Sequence, residues 1–219
     1  WKYMITNELK KIIVTSVVLL FIIFLVFTYN IILVLSLIIL GVLSVLEFFN
    51  LTKKIIKNKF YMTISNLFFL VYIFLFCLIT FFFFNFPQLK TIFLSILFGC
   101  IASDIGGFIF GKIFKGPKLT NISPKKTITG AFGSIFLTTI VFSSIIFYLT
   151  KDFSYKIIFA SILISFFCQI GDIFFSFLKR KAKVKDTGNF LPGHGGILDR
   201  LDGVFLGIPL GFISFMLLY

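Results

Sequence analysis

Four aspartates stand inside or at the ends of long apolar stretches, where an ionised side chain is unusual. They are Asp104, Asp172, Asp199 and Asp202. A carboxylate at membrane depth costs on the order of several kcal/mol unless it is paired, hydrated in a cavity or bound to a cation. A structural ion pair with Arg200 or a lysine explains any one of them as well as a functional role does. Four near one membrane face favour a functional site.

Helical spacing groups further polar residues with these aspartates. Gln169, Asp172 and Ser176 are three and four residues apart, so they share one face of a helix. Asp199 and Asp202 are three residues apart and also share a face. Glu47, at the inner end of another apolar segment, is interpreted as a partner of a nearby lysine.

A glycine-rich segment lies between these two helices and surrounds the single histidine, His194, with Gly193, Gly195 and Gly196. Glycines allow close backbone approach to an anion. Carboxylates bind Mg²⁺ through one or two ligands while substrate phosphates supply the others, and lysine and arginine bind further phosphate oxygens. Together these groups are typical of phosphoryl or nucleotidyl transfer.

The composition indicates a membrane protein. Hydrophobic residues make up 59% of the 219 residues and charged residues 13%, whereas soluble domains carry about 25% charged residues. The net charge of +13 is spread between apolar runs, so anionic head groups or phosphates are expected as partners and nucleic acid is not. Cys77, Cys100 and Cys168 lie in apolar runs and are interpreted as small buried hydrophobes.

Seven apolar segments are long enough to cross a bilayer, which takes about 20 helical residues. They comprise residues 11–28, 31–50, 64–84, 91–112, 129–149, 156–178 and 197–218. We therefore predict an all-α, polytopic transmembrane helix bundle of about seven spans, the first of them a retained span and not a signal peptide. Residues 1–90 hold the N-terminal spans and residues 91–219 the catalytic region with its basic loops, within one integral membrane domain.

The loop charges predict the orientation. With the N-terminus inside, 18 of the 21 Lys and Arg residues fall in inside regions, and only Lys90, Lys151 and Lys156 fall outside. Positive residues gather on the cytoplasmic side. We expect a cytoplasmic N-terminus and an external C-terminus.

Residues 176–202 carry a dense pattern of polar positions. It comprises Ser176, Lys179, Arg180, Lys185, Asp186, Gly188, Pro192, Gly193, His194, Gly195, Gly196, Asp199, Arg200 and Asp202. This pattern closely resembles the signature of the phosphatidate cytidylyltransferases, also called CDP-diacylglycerol synthases. A second block agrees with that family's upstream motifs: Ser103–Gly107 with Asp104, Gly111 and Lys112, Ser123–Thr127, and Gly171 with Asp172.

Three positions depart from the family pattern. Many members carry Glu where this chain has Phe175 and Thr129, and an aromatic residue where it has Gly107. These departures leave a non-catalytic homologue open as an alternative.

The resemblance implies transfer of CMP from CTP to phosphatidic acid, giving CDP-diacylglycerol and pyrophosphate with Mg²⁺; a second cation is left open. The implied catalytic residues are Asp172, Asp199, Lys126, Arg180 and His194. The implied phosphate-binding residues are Ser123, Lys125, Lys126, Lys179, Arg180, Lys185, Gly193, Gly195, Gly196 and Arg200. The implied metal ligands are Asp172 and Asp199, bridged by one cation, with Asp104 and Asp202 as further candidates.

The expected partners are CTP, phosphatidic acid and membrane lipids, with a second copy of the chain kept as a candidate. The expected location is the inner membrane of a bacterium. A cation-coupled transporter would also use intramembrane carboxylates, but it needs no glycine-rich, cation-lined loop. A CDP-alcohol phosphatidyltransferase carries Asp-Gly-x-x-Ala-Arg, which is absent from this sequence.

Single-cysteine labelling in a background without the three native cysteines tests the topology. Cysteines at positions 55, 120 and 184 should react only with a reagent that reaches the cytoplasm, and one at position 152 with an impermeant external reagent, because of the charge asymmetry. External labelling at position 184 would contradict both the topology and the position of the site.

Overall fold

The described part of the chain is mostly α-helical. The computed structural model describes residues 24–120, 122–188, 190 and 195–218, with the single positions 18 and 21. The helices are α1 (Asn30–Ile55), α2 (Lys59–Asn85), α3 (Pro87–Phe114), α4 (Ile128–Thr150), α5 (Tyr155–Lys181) and α6 (Leu198–Leu218).

All six helices are long and apolar enough to cross a bilayer. Many of their large apolar side chains are exposed, among them Phe68, Phe108 and Phe132, as expected for surfaces that face lipid. The predicted all-α, polytopic membrane fold is confirmed. The first predicted span, residues 11–28, lies mostly outside the described residues, and its last positions, 24–28, are helical.

Local sequence signals set several helix ends. Pro87 begins α3, where its missing N–H is not needed. Thr127 caps α4, and its Oγ1 accepts a hydrogen bond from the amide of Gly130 at 3.1 Å. Lys53 and Lys54 lie in the last turn of α1, where positive charge complements the helix dipole.

The residues fall into two compact units. The first comprises Trp1–Phe84 and Lys181–Arg200, and the second comprises Asn85–Arg180 and Leu201–Tyr219. The predicted division near residue 90, within one membrane domain, stays a prediction.

In the first unit, α1 and α2 form an antiparallel hairpin. The rings of Phe48 and Phe69 stack with their centroids 3.9 Å apart, and the Thr52 hydroxyl contacts Asn66 Oδ1 at 2.9 Å. Farther from the turn, the Cys77 thiol donates to the Leu37 carbonyl at 3.6 Å. Residues later in α1 contact residues earlier in α2, so the two helices are antiparallel. A short connection near residue 56 joins them.

In the second unit, α3 to α6 alternate in direction. The Ser134 hydroxyl of α4 donates to the Ser103 carbonyl of α3 at 2.7 Å, and that of Thr138 to the Gly99 carbonyl at 3.2 Å. The hydroxyls of Ser103 and Ser165 lie 3.0 Å apart, which places α3 and α5 side by side. These buried polar contacts bind helices to one another where lipid offers no partner.

Glycines let these helices approach closely. A methyl group on Gly106 would overlap the backbone carbonyl of Gly133 on α4. On α6, a Cβ on Gly203 would lie 2.6 Å from the Cys168 sulfur, and one on Gly207 would lie 2.7 Å from the Cys100 sulfur. These glycines are therefore helix-packing positions. Cys100 and Cys168 are buried free thiols, as expected, whereas the free thiol of Cys77 is only half-buried.

Replacing Gly106 by Ala should destabilise the second unit, because the new methyl group meets backbone that cannot rotate away. We expect a loss of about 1–3 kcal/mol, the usual cost of overpacking, seen as a lower thermal midpoint in detergent. Gly99→Ala, on the same helix, is the matched control, since its Cβ would lie 3.5 Å from the nearest atom, an ordinary contact. Equal midpoints for the two variants would contradict the packing.

Candidate active site

Three aspartates and two lysines form a charged cluster in the second unit. Lys126 Nζ donates to Asp172 Oδ2 at 2.7 Å, and Lys179 Nζ lies 3.6 Å from Asp202 Oδ2. Asp104 is within electrostatic reach of Asp172, Lys126 and Asp202. Three carboxylates against two ammonium groups leave these five side chains with one formal negative charge. A structural ion pair with a lysine thus explains Asp172 and Asp202 one at a time. It does not explain Asp104, because the cluster has no third lysine.

The cluster forms at one end of the second unit but below the helix ends. Asp104 lies ten residues before the end of α3, about 15 Å at the helical rise. Asp172 lies near the C-terminal end of α5 and Asp202 in the second turn of α6. The helices alternate in direction, so these positions belong to the same end of the unit.

The segment between α3 and α4 folds back on itself and delivers Lys126 to this end. The Leu119 amide donates to the Lys126 carbonyl at 2.8 Å, and the Ile128 amide donates to the Pro117 carbonyl at 2.9 Å. The Lys126 amide donates to the Ser123 carbonyl at 3.0 Å and closes the turn through Pro124. Backbone hydrogen bonds therefore hold the segment that carries Lys125 and Lys126 in place.

A cavity of about 290 Å³ opens beside the cluster. Its lining combines hydroxyl, amide, carboxylate and ammonium groups from α3, α4, α5 and the connecting segment. The polar lining residues are Ser103, Asp104, Ser123, Lys125, Lys126, Thr127, Ser134, Gln169 and Asp172. Lys125 is exposed at its edge. This lining can hold an anion against the lysines and a cation against the carboxylates.

In the first unit, a second carboxylate network surrounds Asp199. Its Oδ2 accepts hydrogen bonds from the Thr187 amide at 2.8 Å and the Gly196 amide at 3.0 Å, and it lies 3.0 Å from the Thr187 hydroxyl oxygen. The Thr187 hydroxyl also lies 2.6 Å from Oε2 of Glu47. Glu47 Oε1 accepts the Ile197 amide, and Oε2 accepts the Leu198 amide, both at 2.9 Å.

Glycines make room for this network. A Cβ on Gly196 would overlap the Thr187 hydroxyl and the Glu47 carboxylate, and one on Gly188 would lie 2.7 Å from Glu47 Oε1. Gly195 has a φ of +82°, in the left-handed region that favours glycine. In the described residues, these glycines contact carboxylates of the chain, and phosphate binding by Gly195 and Gly196 stays a prediction.

The structure brings together some of the predicted site residues. Those in the charged cluster or its cavity are Asp104, Ser123, Lys125, Lys126, Asp172, Lys179 and Asp202. Arg180 belongs to the same unit and is exposed.

The other predicted site residues belong to the first unit or lie outside the described residues. Lys185, Gly195, Gly196, Asp199 and Arg200 belong to the first unit, so a cation that bridges Asp172 and Asp199 stays a prediction. Gly193 and His194 lie outside the described residues.

Glu47 and Thr187 were missed by the sequence reasoning. The interpretation of Glu47 as a lysine partner was wrong: among the described residues, its hydrogen bonds come from Thr187 and from the start of α6. Its side chain is buried, with 6% of its surface exposed. A glutamate followed by three lysines in the next turns resembles an ordinary membrane-interface position, and its partners lie about 140 residues away in the sequence.

Two of the departures from the family pattern are structural in this chain. Phe175 is buried, and its ring centroid lies 6.3 Å from that of Phe205. The Thr129 hydroxyl accepts the Gly116 amide at 3.2 Å and lies 3.1 Å from the Thr127 hydroxyl. Phe175 packs in the core and Thr129 binds backbone. Neither side chain adds a charge to the cluster.

The donor set suits a hard divalent cation. Every ligand candidate in the charged cluster is a carboxylate oxygen, the type that Mg²⁺ prefers. Among the described residues, no group of three or more His, Cys, Asp or Glu side chains could hold a metal ion. A cation bound here would therefore take part of its coordination from water or from substrate oxygens.

Comparison with known proteins adds independent information. A model described as "Cytidylyltransferase family" matches residues 10–218. A phosphatidate cytidylyltransferase of Helicobacter pylori is 37% identical over 123 residues, which cover 56% of this chain and 46% of that protein. One of Rickettsia typhi is 42% identical over 127 residues, covering 53% and 56%, and one of Staphylococcus aureus is 40% identical over 110 residues, covering 49% and 42%. The chain thus spans about half the length of the curated relatives it matches.

Proposed function

We propose that this chain, which belongs to the cytidylyltransferase family, transfers CMP from CTP to phosphatidic acid and releases CDP-diacylglycerol and pyrophosphate. The relatives carry the name of that activity. The observation that carries the proposal is the charged cluster itself, in which lysines and aspartates line one end of a membrane-embedded helical unit.

The reaction joins two anions, and this explains why the site needs cationic groups. A phosphate oxygen of phosphatidic acid attacks the α-phosphorus of CTP, and a new P–O bond forms there. The bond from the α-phosphorus to the oxygen that bridges to the β-phosphate breaks, and pyrophosphate leaves with that electron pair. The attacking phosphate is already anionic, so a strong general base is not required. Catalysis depends on screening and positioning.

Lys126 and Lys179 supply the screening. Each is paired with one aspartate across 2.7 and 3.6 Å, and each keeps part of its side chain exposed, 29% for Lys126 and 12% for Lys179. An ammonium group has three donors. One can stay on its aspartate while another binds a phosphate oxygen of the triphosphate. Lys125 and Ser123, at the cavity edge, bind the outer phosphates.

Mg²⁺ is the proposed cation, and Asp172 is proposed to hold it together with Asp104 or Asp202. When bound, it neutralises charge on the transferring phosphoryl group. The all-oxygen donor set of the charged cluster supports this assignment. For five further residues, a role in the reaction is proposed from the sequence pattern alone. They are Arg180, Lys185, His194, Asp199 and Arg200.

The proposed location is the inner membrane of a bacterium, with the N-terminus in the cytoplasm. The relatives named above are bacterial. The charge asymmetry assigns the segment between α3 and α4 to the cytoplasmic side, and this segment lies at the same end of the unit as the cluster. Cytosolic CTP and the head group of phosphatidic acid would both reach it there.

One assay tests the activity directly. Purified full-length chain, labelled CTP and phosphatidic acid in mixed micelles should give labelled CDP-diacylglycerol and pyrophosphate in equal amounts, only with Mg²⁺ present. Diacylglycerol in place of phosphatidic acid is the control, because it lacks the attacking phosphate. Absence of labelled lipid with folded protein would overturn the proposal.

The basic residues are tested by Lys126→Gln and Arg180→Lys. If they bind triphosphate, each substitution removes a charge-assisted contact of about 1.5–3 kcal/mol, a loss of roughly tenfold to over a hundredfold in kcat/KM. Arg180→Lys keeps the charge but loses the planar fork, so it separates bidentate binding from simple charge. Lys151→Gln, on a loop predicted to be external, is the control. Normal kinetics for both variants in correctly inserted protein would show that these residues do not bind the triphosphate and serve only to set the membrane topology.

A further inference from the structure

We propose that Glu47 is a positioning residue: its buried carboxylate ties together the two ends of the glycine-rich segment and thereby fixes Asp199 and the start of α6. The consequence for turnover rests on the proposed function. The positioning itself does not, and it can be measured separately.

The contacts of Glu47 are made on both sides of that segment. On one side, the Thr187 hydroxyl lies 2.6 Å from Oε2. On the other, the Ile197 and Leu198 amides donate to Oε1 and Oε2 at 2.9 Å. A single carboxylate from α1 therefore holds positions ten and eleven residues apart.

Asp199 completes the same closure from the helix side. Its Oδ2 accepts the Thr187 and Gly196 amides and lies 3.0 Å from the Thr187 hydroxyl oxygen. Thr187 is thus held between two carboxylates. Any shift of Thr187 away from Glu47 would change the two contacts that Thr187 makes with the Asp199 side chain.

Ordinary helix capping does not account for all the contacts at the start of α6. The first amides of a helix lack partners within it and carry partial positive charge, and a local Ser, Thr or Asp usually accepts them. Here the nearby carboxylate, Asp199, instead binds Gly196 and Thr187. The amides of Ile197 and Leu198 are left to Glu47, which is 150 residues away along the chain.

The surroundings of Glu47 are built for a carboxylate. Its side chain is 6% exposed, and burying an ionised group is costly unless donors surround it. Gly188 and Gly196 approach so closely that a Cβ on either would collide with the carboxylate. Two glycines and three donors thus converge on one buried side chain.

Glutamine cannot replace this carboxylate. It presents one carbonyl oxygen and one NH₂ group. If the NH₂ group takes the place of Oε1 it faces the Ile197 N–H, and if it takes the place of Oε2 it faces the Leu198 N–H. In either rotamer, one backbone donor loses its acceptor.

Thr187 provides a second, milder test. Thr187→Val keeps the shape and the backbone amide but removes the hydroxyl between the carboxylates. Thr187→Ser keeps the hydroxyl and should rescue the effect. Ser44→Ala is the matched control on α1, because Ser44 is fully buried and its Oγ has no partner among the described residues.

The experiment is amide hydrogen exchange on the full-length chain in detergent micelles, read by mass spectrometry in peptides that cover 186–190 and 195–200. Glu47→Gln and Thr187→Val should speed exchange there by about tenfold or more, the scale of one lost hydrogen bond to a charged group, and leave α2 unchanged. Ser44→Ala and Thr187→Ser should match the unmodified chain. In the CTP assay, Glu47→Gln should lower kcat with little change in KM for either substrate.

Unchanged exchange in these peptides for Glu47→Gln and Thr187→Val would overturn the proposal, as would faster exchange spread equally through α1 and α2. If Glu47→Gln fails to accumulate, the comparison of Thr187→Val with Thr187→Ser decides. Local loss of protection with normal kcat would overturn the link to turnover. Local loss of protection in a chain that never makes CDP-diacylglycerol would support the positioning and overturn the proposed function instead.

Discussion

The cost of placing carboxylates inside membrane-spanning helices is the constraint on which this structure depends. An ionised aspartate in an apolar helix must find cations, donors or water. The chain meets this demand in two ways. In the second unit, Asp172 and Asp202 pair with lysines across 2.7 and 3.6 Å. In the first unit, Glu47 and Asp199 collect backbone amides and one hydroxyl.

Close helix packing makes the first solution feasible. Without the glycines of α3 and α6, the helices that carry Asp104, Asp172 and Asp202 would be held apart by side chains. Small residues and buried hydroxyl contacts replace the hydrophobic driving force that lipid cannot supply. The lysines then reach the aspartates from the folded segment between α3 and α4 and from the end of α5. Packing and electrostatics are therefore coupled: each lost approach would leave a carboxylate without its partner.

Much of this follows from the sequence, and the reasons are physical. Runs of about 20 apolar residues predict the helices because lipid leaves the backbone no other partner. Asp104 and Asp172 could be named because carboxylates in apolar helices are rare and costly, whereas Lys126 was implied by the family resemblance alone. Glu47 could not be interpreted correctly, because its donors are backbone amides of a distant helix start, and no side-chain pattern records them. The folded segment between α3 and α4, which positions Lys126, could not be predicted either. It is held by backbone hydrogen bonds such as that between Leu119 and Lys126, and nearly every residue has a backbone amide and carbonyl.

The proposed function requires that Asp172 and its neighbouring aspartates hold a divalent cation. Mn²⁺ titration of the purified chain, followed by electron paramagnetic resonance and competed with Mg²⁺, measures this without turnover. The account predicts a bound Mn²⁺ that Mg²⁺ displaces, with affinity at least about tenfold weaker in Asp172→Asn, because a carboxylate ligand charge is lost. Asp152→Asn, which changes an exposed carboxylate on the loop between α4 and α5, should bind like the unmodified chain. Equal Mn²⁺ affinity in Asp172→Asn and the unmodified chain would contradict the account.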